Sequence, residues 1–158
     1  TLTHFQKHAH LTHAFKPGLT LVTGQNWSGK TTILRAVLYA LFGTSAVNVK
    51  AGNLVSRNNS GMEVVLYFQV GSQRYLVIRG PKKAELQEDG ILVASGQTPV
   101  TAMVESLIGD AKLFLTFQTA RQGEASGLLT LGAAKLAQHI DTVTGVPTAP
   151  AGTSMAQS

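Results

Sequence analysis

The sequence predicts a mixed α/β fold: a strand, a glycine-rich loop and a helix in succession, followed by an antiparallel meander. Three observations predict it. The apolar run Leu19-Thr20-Leu21-Val22 leads at once into GQNWSGKTT at 24–32. The following stretch, TTILRAVLYALF, repeats apolar residues at Ile33, Leu34, Val37, Leu38 and Leu41, the spacing of one helix face. Beyond residue 60, MEVVLYFQV and QRYLVIRG read as two strands joined by Gly71-Ser72, a two-residue hairpin turn.

Residues 2–15 mix short apolar and polar runs and reach a turn at Pro17-Gly18. Leu19 to Val22 then reads as a buried strand, and Gly43 as the stop of the helix. Segment 44–60, rich in Ser, Asn, Gly and Ala, reads as a long surface connection. A further short strand pair, Ala84 to Gln87 and Ile91 to Ala94, flanks the turn Glu88-Asp89-Gly90 and extends the meander. Helical spacing returns over 97–118, with Val100, Met103, Val104 and Leu107 before Gly109 and Leu113, Phe114 and Phe117 after it, and again over 132–144, with Leu136, Ile140 and Val143. The ending VPTAPAGTSMAQS is too rich in Pro, Ala, Ser and Thr to pack a core. The expected organisation is one lobe over 1–145 and a disordered tail over 146–158. A start at Thr1 without methionine and this tail are what a fragment would have.

A length of 158 residues suits a single domain with a core, and 44% hydrophobic against 13% charged residues hints at apolar surface left for a partner. The net charge of +5 is compatible with phosphates, but the Lys and Arg form no run. Without cysteine there are no disulfides and no thiolate metal sites. No stretch is long and apolar enough for a membrane span, and the expected location is the cytoplasm.

A triphosphate is held by inward-turned backbone N–H groups and by the positive end of a following helix, so its loop must be glycine-rich and sit between strand and helix. GQNWSGKTT meets both conditions as a P-loop, the Walker A pattern. Gly24 gives a tight exit from the strand, Gln25, Asn26, Trp27 and Ser28 form the nest, and Gly29 lets the backbone approach the phosphates. Lys30 reaches the β and γ oxygens, Thr31 offers its hydroxyl to Mg²⁺, and Thr32 starts the helix beside the α-phosphate. The plain alternative is a glycine-rich turn that binds nothing. Trp27 stands where such loops usually have glycine. Either the loop takes a shape that a non-glycine tolerates, the favoured reading, or the ring packs on a base, a sugar or a partner. A positive φ there would cost of order 1–3 kcal/mol.

Other features point less sharply. His4, His8, His10 and His13 cluster early, as a zinc site or as exposed positions on a hairpin, and no carboxylate or cysteine lies near to complete a tetrahedral set. Arg57 with Asn58 and Asn59, and Lys82 with Lys83, fall on expected loops as DNA-phosphate contacts or as solvated charge. Ser28, His139 and Asp141 make a triad only on paper.

Phe5 to His8, Phe15, PGLTLVTGQN, SGKTTILRAVLYALFG and the later ARQGE resemble the N-terminal half of the ATPase head of the SbcC and Rad-fifty family, relatives of the SMC proteins, with phage recombination exonuclease subunits nearest in style. The likeness spans most of residues 2–145. It implies an ABC-type P-loop ATPase head binding ATP and Mg²⁺. It implies that Gln122, in Arg121-Gln122-Gly123-Glu124, is the Q-loop residue that contacts Mg²⁺ and the attacking water, with Gln118 as the alternative. The family's arginine after the early Phe, which touches the nucleotide, is replaced here by Gln6 and then Lys7. The resemblance also implies a C-terminal lobe beyond a coiled coil that carries the Walker B carboxylates and the signature motif. Homodimeric heads, DNA and an SbcD-like metallophosphatase nuclease would be the partners. No apolar run in this chain ends in Asp-Glu or Asp-Asp, so alone it is expected to bind ATP weakly and not to turn it over. Two other functions compete: an SMC or RecF-like DNA clamp without a nuclease, and a small P-loop kinase. The kinase needs a lid arginine cluster where this sequence offers a meander.

Overall fold

The computed structural model describes residues 1–47, 53–56 and 61–118. The chain divides into two compact units, residues 1–111 and 112–158. Of the second, helix α4 is described, running Ala111–Gln118 from the last residue of the first unit. The helical stretch expected at 132–144 and the tail at 146–158 lie outside the described residues.

The first unit is built on one antiparallel sheet. Strands β1 (Leu2–Phe5) and β2 (His8–Leu11) form a hairpin with Phe5 opposite His8. β3 (Glu63–Val70) and β4 (Gln73–Arg79) pair along their whole length, from Val70 opposite Gln73 to Val64 opposite Arg79. Gly71, at φ 60°, supplies the backbone that this two-residue turn demands. β5 (Ala84–Glu88) and β6 (Ile91–Ser95) complete the meander, turning at Asp89 (φ 46°) and Gly90 (φ 88°), with a bulge at Leu86/Gln87. The sheet order is β2-β1-β3-β4-β5-β6. The expected meander is present at the expected turns.

Leu19 to Val22 is the main departure. It forms no strand, and Leu19 is 100%, Leu21 82% and Val22 43% exposed. A run of alternating leucines has the composition of a buried strand. Burial needs neighbouring strands on both sides, and the described residues supply none there.

Helix α1 (Lys30–Phe42) follows the loop and ends at Gly43, whose N–H returns to Tyr39 O at 2.8 Å. Its buried line matches the leucine-based one only in part. Leu38 and Leu41 are buried as expected, together with Thr32, Ala36, Tyr39, Ala40 and Phe42, while Leu34 is exposed and Ile33 and Val37 are partly so. Small residues let the helix axis lie close to β3 and β4, and Ile33 and Val37 at its flank line a groove with Leu11, Phe15 and Leu66. The segment after α1 is not all surface: a short helix, α2 (Thr44–Val47), buries Ala46 and Val47, Leu54 is fully buried, and Val55 bridges to Phe5.

Helix α3 (Gln97–Ile108) packs Val100 and Val104 against β5 and β6, and stops at Gly109. Between α1 and α3 sits Arg79, 1% exposed. Its Nη1 donates to Gln97 Oε1 and Thr101 Oγ1, both at 3.1 Å, and its Nη2 to Leu41 O at 3.3 Å. Gln97 in turn donates to Gly80 O at 2.8 Å. No carboxylate pairs with this cation among the described residues. Its compensation is the carbonyl end of α1, the negative pole of that helix. Burial lowers the Arg79 pKa, a shift opposed by the Tyr39 phenol.

Candidate nucleotide site

The loop at 24–29 is exposed up to Ser28 and ends at Gly29, the N-cap of α1, which holds φ 97°. No side chain caps the helix and no acidic residue occupies its first turn. An uncapped helix start of this kind offers free N–H groups and a positive pole to an anion. Two glycines are required for separate reasons. A Cβ on Gly29 would stand 2.8 Å from His8 Nε2 as well as in a left-handed backbone. A Cβ on Gly24 would meet Ser28 Oγ at 3.0 Å.

Lys30 folds back over the loop, its Nζ donating to Gly24 O at 2.8 Å and Gln25 O at 2.7 Å. The ammonium therefore stands inside the curve of the loop, held by carbonyls that an oxyanion would replace. Thr31, beside it, is exposed. Thr32 is buried, with its N–H on Gly29 O at 3.0 Å and its hydroxyl on Gln6 Oε1 at 3.0 Å. The helix begins at Lys30, two residues before the expected start at Thr32.

Trp27 takes φ 68°, the left-handed region in which a bulky side chain is strained. The residue is 85% exposed. Sequence reasoning missed what lies against this loop, namely the β1–β2 turn. Gln6 reaches Thr32. Lys7 Nζ donates to the Trp27 carbonyl at 2.6 Å and stands 5.9 Å from the centre of its ring. His8 Nε2 donates to Gly29 O at 3.3 Å in the tautomer that carries its proton there. The only sequence signal was the departure at Gln6 and Lys7 from the family's arginine.

The remaining candidates scatter. His10 contacts Thr12 and His13 packs edge-on against Phe15, and no group of three His, Cys, Asp or Glu that could hold a metal occurs among the described residues. Lys82 and Lys83 are exposed at the β4–β5 turn, Lys83 paired with Glu85 at 3.1 Å. Gln122, Arg57, Asn58, Asn59, His139 and Asp141 lie outside the described residues, and Gln118 is the last residue of α4.

The residues that could hold a nucleotide are thus the loop amides, Lys30 and Thr31, at an uncapped helix start. The AAA domain family matches residues 1–114. The chain is similar to the DNA double-strand break repair Rad50 ATPase of Methanocaldococcus jannaschii, 29% identical over 147 residues that cover 90% of this chain and 14% of that protein. It is 33% identical to the protein of the same name from Thermococcus kodakarensis over 132 residues, 79% of this chain and 15% of that one. Exonuclease subunit 2 of Escherichia phage RB69 is 36% identical over 75 residues, 46% of this chain and 13% of that protein. The chain spans a small part of the length of the curated relatives it matches. These names agree with the resemblance carried by Phe5 to His8 and the loop. Hairpin, loop and helix all fall inside the matched span, and the chain belongs to the AAA domain family.

Proposed function

We propose that this chain is the ATP-binding N-terminal lobe of the ATPase subunit of a DNA double-strand-break repair exonuclease complex. The observation that carries the nucleotide reading is the lysine ammonium held in the loop by Gly24 O and Gln25 O, at the foot of a helix whose N-cap is a left-handed glycine. On binding, Lys30 exchanges those two carbonyls for β and γ phosphate oxygens, and the N–H groups at the start of α1 face the remaining charge. The Thr31 hydroxyl and, from beyond the described residues, Gln122 would hold Mg²⁺. A bound Mg²⁺ would neutralise phosphate charge at this site.

The relatives' names support a role in DNA double-strand break repair beside an exonuclease; in the wider role that we propose, ATP-driven pairing of two such heads regulates a metallophosphatase nuclease of the SbcD kind on DNA. The phage exonuclease subunit favours the nuclease-coupled reading over a clamp without nuclease. The bare Leu19 to Val22 run supports completion of the lobe by further chain, the same C-terminal lobe that would carry the Walker B carboxylates and the signature motif. A cytoplasmic setting goes with this role, and no described helix is long and apolar enough to cross a membrane.

Calorimetric titration of the full-length polypeptide with ATP and Mg²⁺ tests the reading. Saturable binding lost in Lys30→Ala is the expected result. Equal affinity in the two proteins, both folded, would overturn it.

A further inference from the structure

The tryptophan of the loop poses a physical problem that its own surroundings do not solve. A left-handed φ of 68° on a bulky residue is strained, and a residue 85% exposed gains little from burial in return. Glycine would hold this backbone shape freely. Something else must fix it here.

Lys7 is the side chain that reaches it. Its ammonium donates a short, charge-assisted bond to the Trp27 carbonyl at 2.6 Å and stands over the same residue's ring. Lys7 does so from a firm base. Phe5 beside it is fully buried, Gln6 N–H is bonded to Leu54 O at 2.7 Å and the Gln6 amide oxygen to Thr32 at 3.0 Å, and His8 is bonded to Gly29 O. The far side of the same peptide is also held, because Ser28 N–H donates to Gln25 O at 3.2 Å. The peptide group linking Trp27 to Ser28 is therefore pinned at its oxygen by Lys7 and at its N–H by the loop. Its orientation decides which loop groups face inward.

We infer that Lys7 is a positioning residue for the loop: from the β1–β2 turn it clamps the Trp27 carbonyl and ring, replacing by contact the backbone freedom a glycine would have supplied. Lys7 acts through Trp27 and not on the nucleotide. Its loss matters only while residue 27 carries a side chain.

The affinity arm of the test rests on the nucleotide reading given above, whereas the exchange arm does not. In the full-length polypeptide, Lys7→Ala, Lys7→Arg, Trp27→Gly and the double variant Lys7→Ala/Trp27→Gly are compared by calorimetric titration with ATP and Mg²⁺. Lys7→Ala is expected to weaken binding roughly five- to tenfold next to Trp27 and by less than about twofold next to Gly at 27, with Lys7→Arg close to the parent. In parallel, hydrogen exchange at the Ser28 amide, measured without nucleotide, should quicken several-fold in Lys7→Ala and stay unchanged when Lys7→Ala is added to Trp27→Gly. An equal loss of affinity in both backgrounds would mean that Lys7 touches the nucleotide itself, and would overturn the inference. Unchanged Ser28 exchange in Lys7→Ala would overturn it even if no variant bound ATP, an outcome that by itself would count against the nucleotide reading alone.

Discussion

Substituting Gly29 by alanine probes the tightest point of the site. Two costs are readable at that position. At φ 97° an L-residue meets its own carbonyl, a penalty of about 1–2 kcal/mol. The new Cβ would also stand 2.8 Å from His8 Nε2, so the imidazole must swing away and its bond to Gly29 O is lost, about 1 kcal/mol more. The sum, about 2–3 kcal/mol, corresponds to binding roughly 30- to 150-fold weaker if the loop must regain its shape to take ATP. His8→Ala alone loses only the bond, roughly fivefold. The double variant is expected to match Gly29→Ala and not the product of the two single losses, because the imidazole bond can be lost only once. Titration with ATP and Mg²⁺, followed by fluorescence of the sole tryptophan, Trp27, gives all four affinities. Gly29→Ala binding within threefold of the parent, or losses that multiply in the double variant, would refute the reasoning.

Arg79→Met leaves Leu41 O, Gln97 Oε1 and Thr101 Oγ1 without their donor, at a cost of about 1–3 kcal/mol once relief from burying a lone cation is counted, and Arg79→Ala adds a cavity and costs more; urea unfolding checks both, and a methionine variant as stable as the parent would contradict the fork described. Burial raises the Tyr39 pKa above its ordinary value of 10.0, partly offset by Arg79, so its contribution to stability is complete below that pH and is lost as pH rises through the folded value. Urea midpoints measured above pH 10 should therefore fall more steeply in the parent than in Tyr39→Phe, and parallel curves would count against it. A polypeptide of residues 1–158 is expected to show no steady ATP hydrolysis, since no apolar run in it ends in paired acidic residues; measured turnover by the pure chain would overturn this.

What could be read from the sequence was local in origin. The β3–β4 and β5–β6 hairpins follow from alternating strands around Gly71 and Asp89-Gly90, where turn chemistry and strand pattern agree within a dozen residues. The helix after the loop was legible for the same reason, but its packed side only in part. The apolar spacing found Leu38 and Leu41 but also favoured the exposed Leu34, whereas close approach to the sheet added Thr32, Ala36 and Ala40. Leu19 to Val22 read as buried because composition reports only that a segment suits burial, not that neighbours exist. The loop residues were found by spacing, yet the hairpin that holds them was not. Lys7 and Trp27 are twenty positions apart and His8 and Gly29 twenty-one, and no local pattern links a β-turn to a loop at that distance. Arg79 was hidden similarly, since a basic residue at a strand end reads as solvated.

The bare leucines before the loop have a practical meaning for anyone who handles this lobe by itself. Leu19, Leu21 and Val22 form an adhesive ribbon without ladder partners among the described residues, ready to recruit any extended main chain that drifts past, its own twin included. Expression of the lobe alone should therefore favour inclusion bodies and concentration-dependent precipitation. A lysine or glutamate at Leu21 should improve its yield in solution without touching the phosphate-facing atoms.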